Sequence, residues 1–117
     1  MSLPAKYRLK RWQDFKQVYE QGKRYQSSHF VVRARVTSSS EATQVGISIS
    51  QKVSKKAVVR NRLKRQIQGI MREILPLISP GWQVVIIPRP SLVECNYEHF
   101  LRELKQLFSK TEMSDGN

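Results

Sequence analysis

The sequence predicts an α/β protein, a small sheet packed with helices, and three observations carry that expectation. Apolar residues recur at helical spacing in three separate stretches, beginning near Trp12, Ala57 and Tyr97. Two alternating segments, HFVVRARV (29–36) and VGISIS (45–50), lie between the first and second of these. A nearly continuous apolar run, WQVVIIP (82–88), precedes the third. The order therefore reads α-β-β-α-β-α, with a further short strand expected near Arg24–Gln26. At 117 residues the chain suits one domain around one core.

Residues 1–10 read as a basic arm. Trp12, Phe15, Val18 and Tyr19 then mark a short first helix, which Gly22 stops as a left-handed C-terminal glycine. In 29–36, Phe30, Val32, Ala34 and Val36 face one way, and Val31, Arg33 and Arg35 the other. TSSSEAT (37–43) is the turn, and Val45, Ile47 and Ile49 continue the inward face. Paired as a hairpin, the two strands leave Gly46, Ser48 and Ser50 as a shallow trough walled by Arg33 and Arg35. That surface fits either an ordinary solvated face or a ligand groove.

The second helix is expected from Ala57 to Leu75, stopped by Pro76. At about 100° per residue, Val59, Leu63, Ile67, Ile70, Met71 and Ile74 form one stripe. Arg60 and Lys64 fall at its edge, Asn61, Arg65, Gln68 and Arg72 on the next strip, and Arg62 nearly opposite. Like charges four residues apart repel by roughly a few tenths of a kcal/mol, so an external polyanion is the natural reason to crowd them. No acid appears from Gln51 to Met71 to offer the usual i,i+4 support. The third helix is capped by Asn96 and carries Tyr97, Leu101, Leu104 and Phe108, flanked by Phe100 and Leu107. Residues 109–117 read as a polar, disordered tail.

Charge is unevenly placed. Of a net charge of +12, residues 1–65 hold 16 Lys/Arg against 3 Asp/Glu, and residues 66–117 hold 5 against 6. All the excess lies in the N-terminal part, as a footprint for a polyanion would. The first residues lack the apolar core of a secretory signal, and no run is long enough to span a bilayer. A membrane-surface role fails because the apolar residues all have core positions.

No catalytic constellation is visible. His29 and His99 sit on different elements without metal-ligand spacing, and read as incidental, so no metal site is expected. Cys95, the single cysteine, reads as a reduced buried thiol. Only Asp14, Glu20 and Glu41 are acidic in the basic half, too few for a two-metal nuclease. Binding remains: cations for phosphates, and Phe15 and Tyr19 either as core or as stacking surfaces for bases.

RNRLKR (60–65) enters a helix after VGISISQKV (45–53), with RLKRWQDFKQVYEQG (8–22) ahead and VVIIPRP (84–90) behind. In this order and spacing, the chain closely resembles the bacterial ribonuclease P protein subunits over roughly residues 7–110. The resemblance implies an α/β (α+β) sandwich: a small mixed sheet packed with three helices, with a left-handed βαβ crossover against the general right-handed preference. It implies a single RNA-binding domain over 1–117, cytoplasmic, that is the noncatalytic partner of a large catalytic RNA. That RNA, with its own Mg2+, removes the 5′ leader of precursor tRNA. No cofactor on the protein itself and no obligate protein partner are implied.

By position, Arg60, Asn61, Arg62, Lys64 and Arg65 match the block that meets the catalytic RNA. Phe15, Tyr19, Val31, Arg33, Ser48 and Lys52 match the leader cleft, and Arg35 shares their face. Arg33 replaces an aromatic found in some relatives, which favours a phosphate or cation–π contact there. Gln51 stands where a lysine is common. The alternative from another class is a small ribosomal or RNA-chaperone protein outside any enzymatic assembly.

Overall fold

A strand apolar on both faces needs cover on both, and 82–88 receives it. The computed structural model describes residues 3–37 and 41–114. Its elements are α1 (Trp12–Gln21), β1 (Lys23–Gln26), β2 (Phe30–Val36), β3 (Gln44–Ile47), α2 (Ala57–Ile74), β4 (Trp82–Pro88) and α3 (Tyr97–Ser109). Short 3-10 turns occupy Ala5–Tyr7, Leu75–Leu77 and Pro90–Glu94. One mixed sheet runs β1-β2-β4-β3. β2 is antiparallel to both β1 and β4, while β3 and β4 are parallel and joined through α2 as a βαβ unit.

Successive β4 side chains enter different layers. Val84 and Ile86 join Phe30, Val32, Ala34, Val45 and Ile47 in a core closed by α2 and α3. Val85 joins Leu9 and Val18, with Phe15 and Ile87 beside them, under α1. The α2 stripe buries Leu63, Ile67, Ile70, Met71 and Ile74 as expected, and α3 buries Phe100, Leu104, Leu107 and Phe108. Asn96 caps α3 by accepting a hydrogen bond from the His99 N–H at 3.0 Å.

Several expectations need correction. The hairpin of 29–36 with 45–50 does not form, because β4 inserts between the two strands. The connecting segment carries no two-residue turn signal that would enforce direct pairing; its residues 38–40 lie outside the described residues. The third strand ends at Ile47, although the Ser48 N–H still donates to Ile86 O at 3.0 Å. Val36, expected inward, is exposed at the sheet's end, and Tyr97 is half out of the α3 stripe.

Gly22 does end α1, but not by a left-handed turn: its φ is −81°. The need for glycine is steric, since a Cβ there would lie 2.5 Å from Val18 O and 2.9 Å from Ala34 O. The arm is no loose arm: Leu3 and Leu9 are buried, and the Leu9 N–H donates to Val45 O at 3.0 Å. The tail is ordered through Ser114, with Thr111 and Met113 buried and Lys23 paired to Glu112 at 2.7 Å. Its thin apolar content hid this, because one methionine between polar residues gives no periodic signal. Residues 1–2 and 115–117 lie outside the described residues.

Candidate nucleic-acid interface

α1 crosses the sheet face opposite α2 and α3, anchored by Val18 over Val85. Phe15 lies so close above Gly46 that a Cβ on that residue would meet the ring at 2.4 Å. Gly46 is therefore roofed by Phe15 and is not an open trough. Beside this contact a groove of about 280 Å³ runs between α1, β3 and α2, its wall including Arg8, Lys10, Phe15, Lys64 and Gln68. Gln68, which the sequence places on the strip beside the apolar stripe with Asn61, Arg65 and Arg72, is buried against this groove. A polar side chain at the flank of an apolar stripe carries no signal of such burial.

The sheet side of the cleft follows from register. Val31 pairs with Ile87, Arg33 with Val85, and Val85 in turn with Gly46, so these side chains share the α1 face. Tyr19 is exposed, Val31 and Ser48 are half-buried, and Lys52 is exposed beyond β3. Arg33 is already engaged within the protein. Its Nη2 donates to Tyr19 O at 2.7 Å and to Gly22 O at 3.2 Å, closing the C-terminus of α1. A guanidinium there both satisfies orphan carbonyls and complements the helix dipole. Arg35 donates to Gln83 Oε1 at 3.0 Å and to Gln21 Oε1 at 2.8 Å. Neither role is legible in strand alternation, which gives the face but not what crosses it.

α2 divides its cations between two surfaces. Lys64 faces the groove beside Phe15. Arg62 and Arg65, with Gln66, Gly69, Arg72, Glu73 and Tyr97, line a second groove of about 620 Å³ toward α3. Asn61 is exposed between them, and Arg60 is tied down by donating to Ser54 O at 2.8 Å. No carboxylate stands in the first turn of α2. Among the described residues none lies within ion-pair distance of Arg60, Arg62, Lys64 or Arg65. Such uncompensated charge along a helix is electrostatically suited to phosphates.

The sequence and the fold have counterparts among known proteins. The ribonuclease P family model matches residues 3–112. The chain belongs to the ribonuclease P protein family. It is 56% identical to the ribonuclease P protein component of Microcystis aeruginosa, over 100% of both chains. The ribonuclease P protein of Thermotoga maritima superposes with a TM-score of 0.81 at 31% identity, covering 90% of this chain and 97% of that one. That of Staphylococcus aureus, at 24% identity, shares the fold with a TM-score of 0.84 over 93% and 98% of the two chains. A ribonuclease P protein component is a subunit of the ribonuclease P endoribonuclease, and its partner is the ribonuclease P RNA. None of these relatives favours the ribosomal or RNA-chaperone alternative. No helix among the described residues is long and apolar enough to cross a membrane.

The histidines are not incidental. His29, just before β2, and His99, on the first turn of α3, both reach Glu103 Oε1, at 2.7 and 2.9 Å. Burial acts to raise the Glu103 carboxyl, but hydrogen bonds from Ser27, from the His29 ring and backbone N–H, and from His99 hold it down at about 2. Cys95 lies against the far side of the His29 ring. Separations of 66 and 74 residues kept His29 out of reach of any spacing rule, whereas Cys95, His99 and Glu103 follow one another four residues apart.

Proposed function

We propose that this ribonuclease P subunit uses its two basic surfaces for two RNAs. Arg62 and Arg65, with Arg60, Asn61 and Lys64 alongside, meet the catalytic RNA, and Lys64, which lines the α1 groove, also serves the leader side. The α1 face receives the single-stranded 5′ leader of precursor tRNA. The observation that supports this reading is the division of α2's uncompensated cations between two grooves, one shared with Phe15 of α1 and the other with Tyr97 of α3. Phe15 and Tyr19 offer bases a stacking surface, with Val31, Ser48 and Lys52 as the opposite wall. Arg33 and Arg35 brace that wall through α1 and β4 rather than standing as free cations.

On this reading hydrolysis and its Mg2+ belong to the RNA, and the protein raises affinity for precursor over product in the cytoplasm. The test is reconstitution with the cognate RNA. The RNA-free protein is expected not to cleave precursor tRNA; a cut at the mature 5′ end by protein alone refutes the assignment. Tyr19→Ala is expected to weaken holoenzyme binding of precursor tRNA by about 1–2 kcal/mol, within the range for one stacked base. Mature tRNA, without a leader, should bind unchanged. Tyr19 is 39% exposed, so thermal melting should barely move. Equal losses for precursor and mature tRNA would refute the leader assignment.

A further inference from the structure

We propose that His29, Cys95 and His99 form a zinc-binding site that clips the start of α3 to the start of β2. A ring nitrogen of each histidine and Cys95 Sγ lie within 4.8 Å of one another. The closest pair, Cys95 Sγ and His29 Nε2, are 3.5 Å apart. Two ligands on a tetrahedral zinc, with Zn–S and Zn–N lengths of 2.3 and 2.0–2.1 Å, stand about 3.6 Å from each other. That pair is therefore already at coordination spacing, and a ring nitrogen of His99 lies within 4.8 Å of both.

Glu103 supplies the support such a site requires. A carboxylate only accepts hydrogen bonds, so its contacts put the protons on His29 Nδ1 and His99 Nε2. The lone pairs are then on His29 Nε2, which faces the thiol, and on His99 Nδ1. Metal-bound histidines characteristically donate their second ring N–H to a carboxylate in this manner. Glu103 is itself fixed by Ser27 and by the His29 backbone N–H at 2.7 Å. Cys95 and His99 flank the Asn96 cap of α3, a short spacing that lets one loop–helix junction supply two ligands.

One thiolate and two imidazoles suit zinc, with its fourth position left to water or another small ligand. Binding releases the Cys95 proton to solvent as the Zn–S bond forms. The clip would join two segments that meet only through tertiary structure: the residues before β2 and the junction that leads into α3. Tyr97, which stands between Cys95 and His99, lines the groove of Arg62 and Arg65, so the clip would hold the α3 wall of that groove in place.

The RNA-free, metal-free full chain is titrated with Co2+, then with Zn2+ against a chelating dye. One equivalent should bind with a thiolate-to-cobalt charge-transfer band and the intense visible bands of a tetrahedral ion, and Zn2+ should raise the melting temperature. Cys95→Ser should abolish the charge-transfer band, and His99→Gln, at a side chain 39% exposed, should weaken Zn2+ binding at least tenfold while leaving the fold intact. Glu103→Gln should weaken it by about 10–100-fold. A spectrum without a thiolate band, or binding equal in the wild type and in both ligand variants, overturns the site and leaves a thiol–imidazole hydrogen bond only.

Discussion

The two faces of the sheet are built to different standards. Toward α2 and α3, long apolar side chains from five strands and helices interlock, and Phe30 and Phe100 meet edge to face at 6.0 Å. Toward α1, only Leu9, Val18 and Val85 are fully buried, with Phe15 and Ile87 half in. The rest of that layer is held by an arginine on helix carbonyls and by a glycine under a ring. The first face supplies stability through area removed from water. The second spends little on burial, and so keeps polar and aromatic groups accessible to a ligand.

The largest effect should come from the closed face. Phe100→Ala removes a fully buried ring and its aromatic partner contact, at an expected cost of about 3–5 kcal/mol. Small domains have only about 5–15 kcal/mol in total, so a urea titration should show a sharply lowered midpoint or no transition. A loss under 1 kcal/mol would break the distinction between the faces. The milder Phe100→Leu keeps the measurement possible if the alanine variant does not fold.

On the open face, Gly46→Ala forces a Cβ to within 2.4 Å of Phe15 and 3.2 Å of Leu9 Cβ. Overpacking of this kind costs about 1–3 kcal/mol. Because Phe15 is only half-buried, part of that strain should appear as displacement of the ring. Precursor binding should therefore fall along with stability, while mature tRNA binding holds. Adding Phe15→Ala should relieve the stability loss, and simple additivity of the two variants would show that they do not touch.

How much of this contrast was legible in the sequence follows from how each layer is made. The closed face comes from periodicity: the α2 stripe, the alternation of Phe30, Val32 and Ala34, and the doubly apolar 82–88 name their own layers. The open face comes from single contacts between distant residues, and periodicity does not register these. Arg33 reads as a solvated strand residue until α1's C-terminus is seen beside it. Gly46 reads as an empty space until Phe15 fills it. The β2–β3 hairpin is the natural inference from neighbouring strands, whereas the doubly apolar 82–88 asks for cover on both faces, which a central place in the sheet provides. The basic block of α2 was fully legible, because helical spacing and charge are both local. Its division into two grooves needed α1 and α3 in place.

Arg33→Ala tests whether the open face depends on that single tie. It removes two hydrogen bonds from a charged donor to the last carbonyls of α1, in a half-buried setting. Such bonds contribute about 1.5–3 kcal/mol each when well buried, and partial exposure screens them toward about 1 kcal/mol here. Hydrogen exchange should show α1 opening more readily while the amides of β4 keep their protection. A variant that loses precursor affinity with no change at α1 would instead make Arg33 a direct ligand.

The smallest effect on folding, and the sharpest separation of folding from binding, should come from Arg62→Ala with Arg65→Ala. Both side chains are exposed on the groove toward α3, and neither lies within ion-pair distance of a carboxylate among the described residues. Their removal relieves like-charge repulsion and leaves the α2 stripe intact, so stability should stay within about 0.5 kcal/mol of the wild type. Binding to the ribonuclease P RNA should respond differently. Each lost phosphate contact releases fewer counterions, and the slope of log affinity against log salt should fall by roughly 0.7–0.9 per contact. The two expectations fail separately. A lowered midpoint in urea would mean these arginines pack rather than wait for RNA, and an unchanged salt slope would mean that the phosphates are held elsewhere on the basic half.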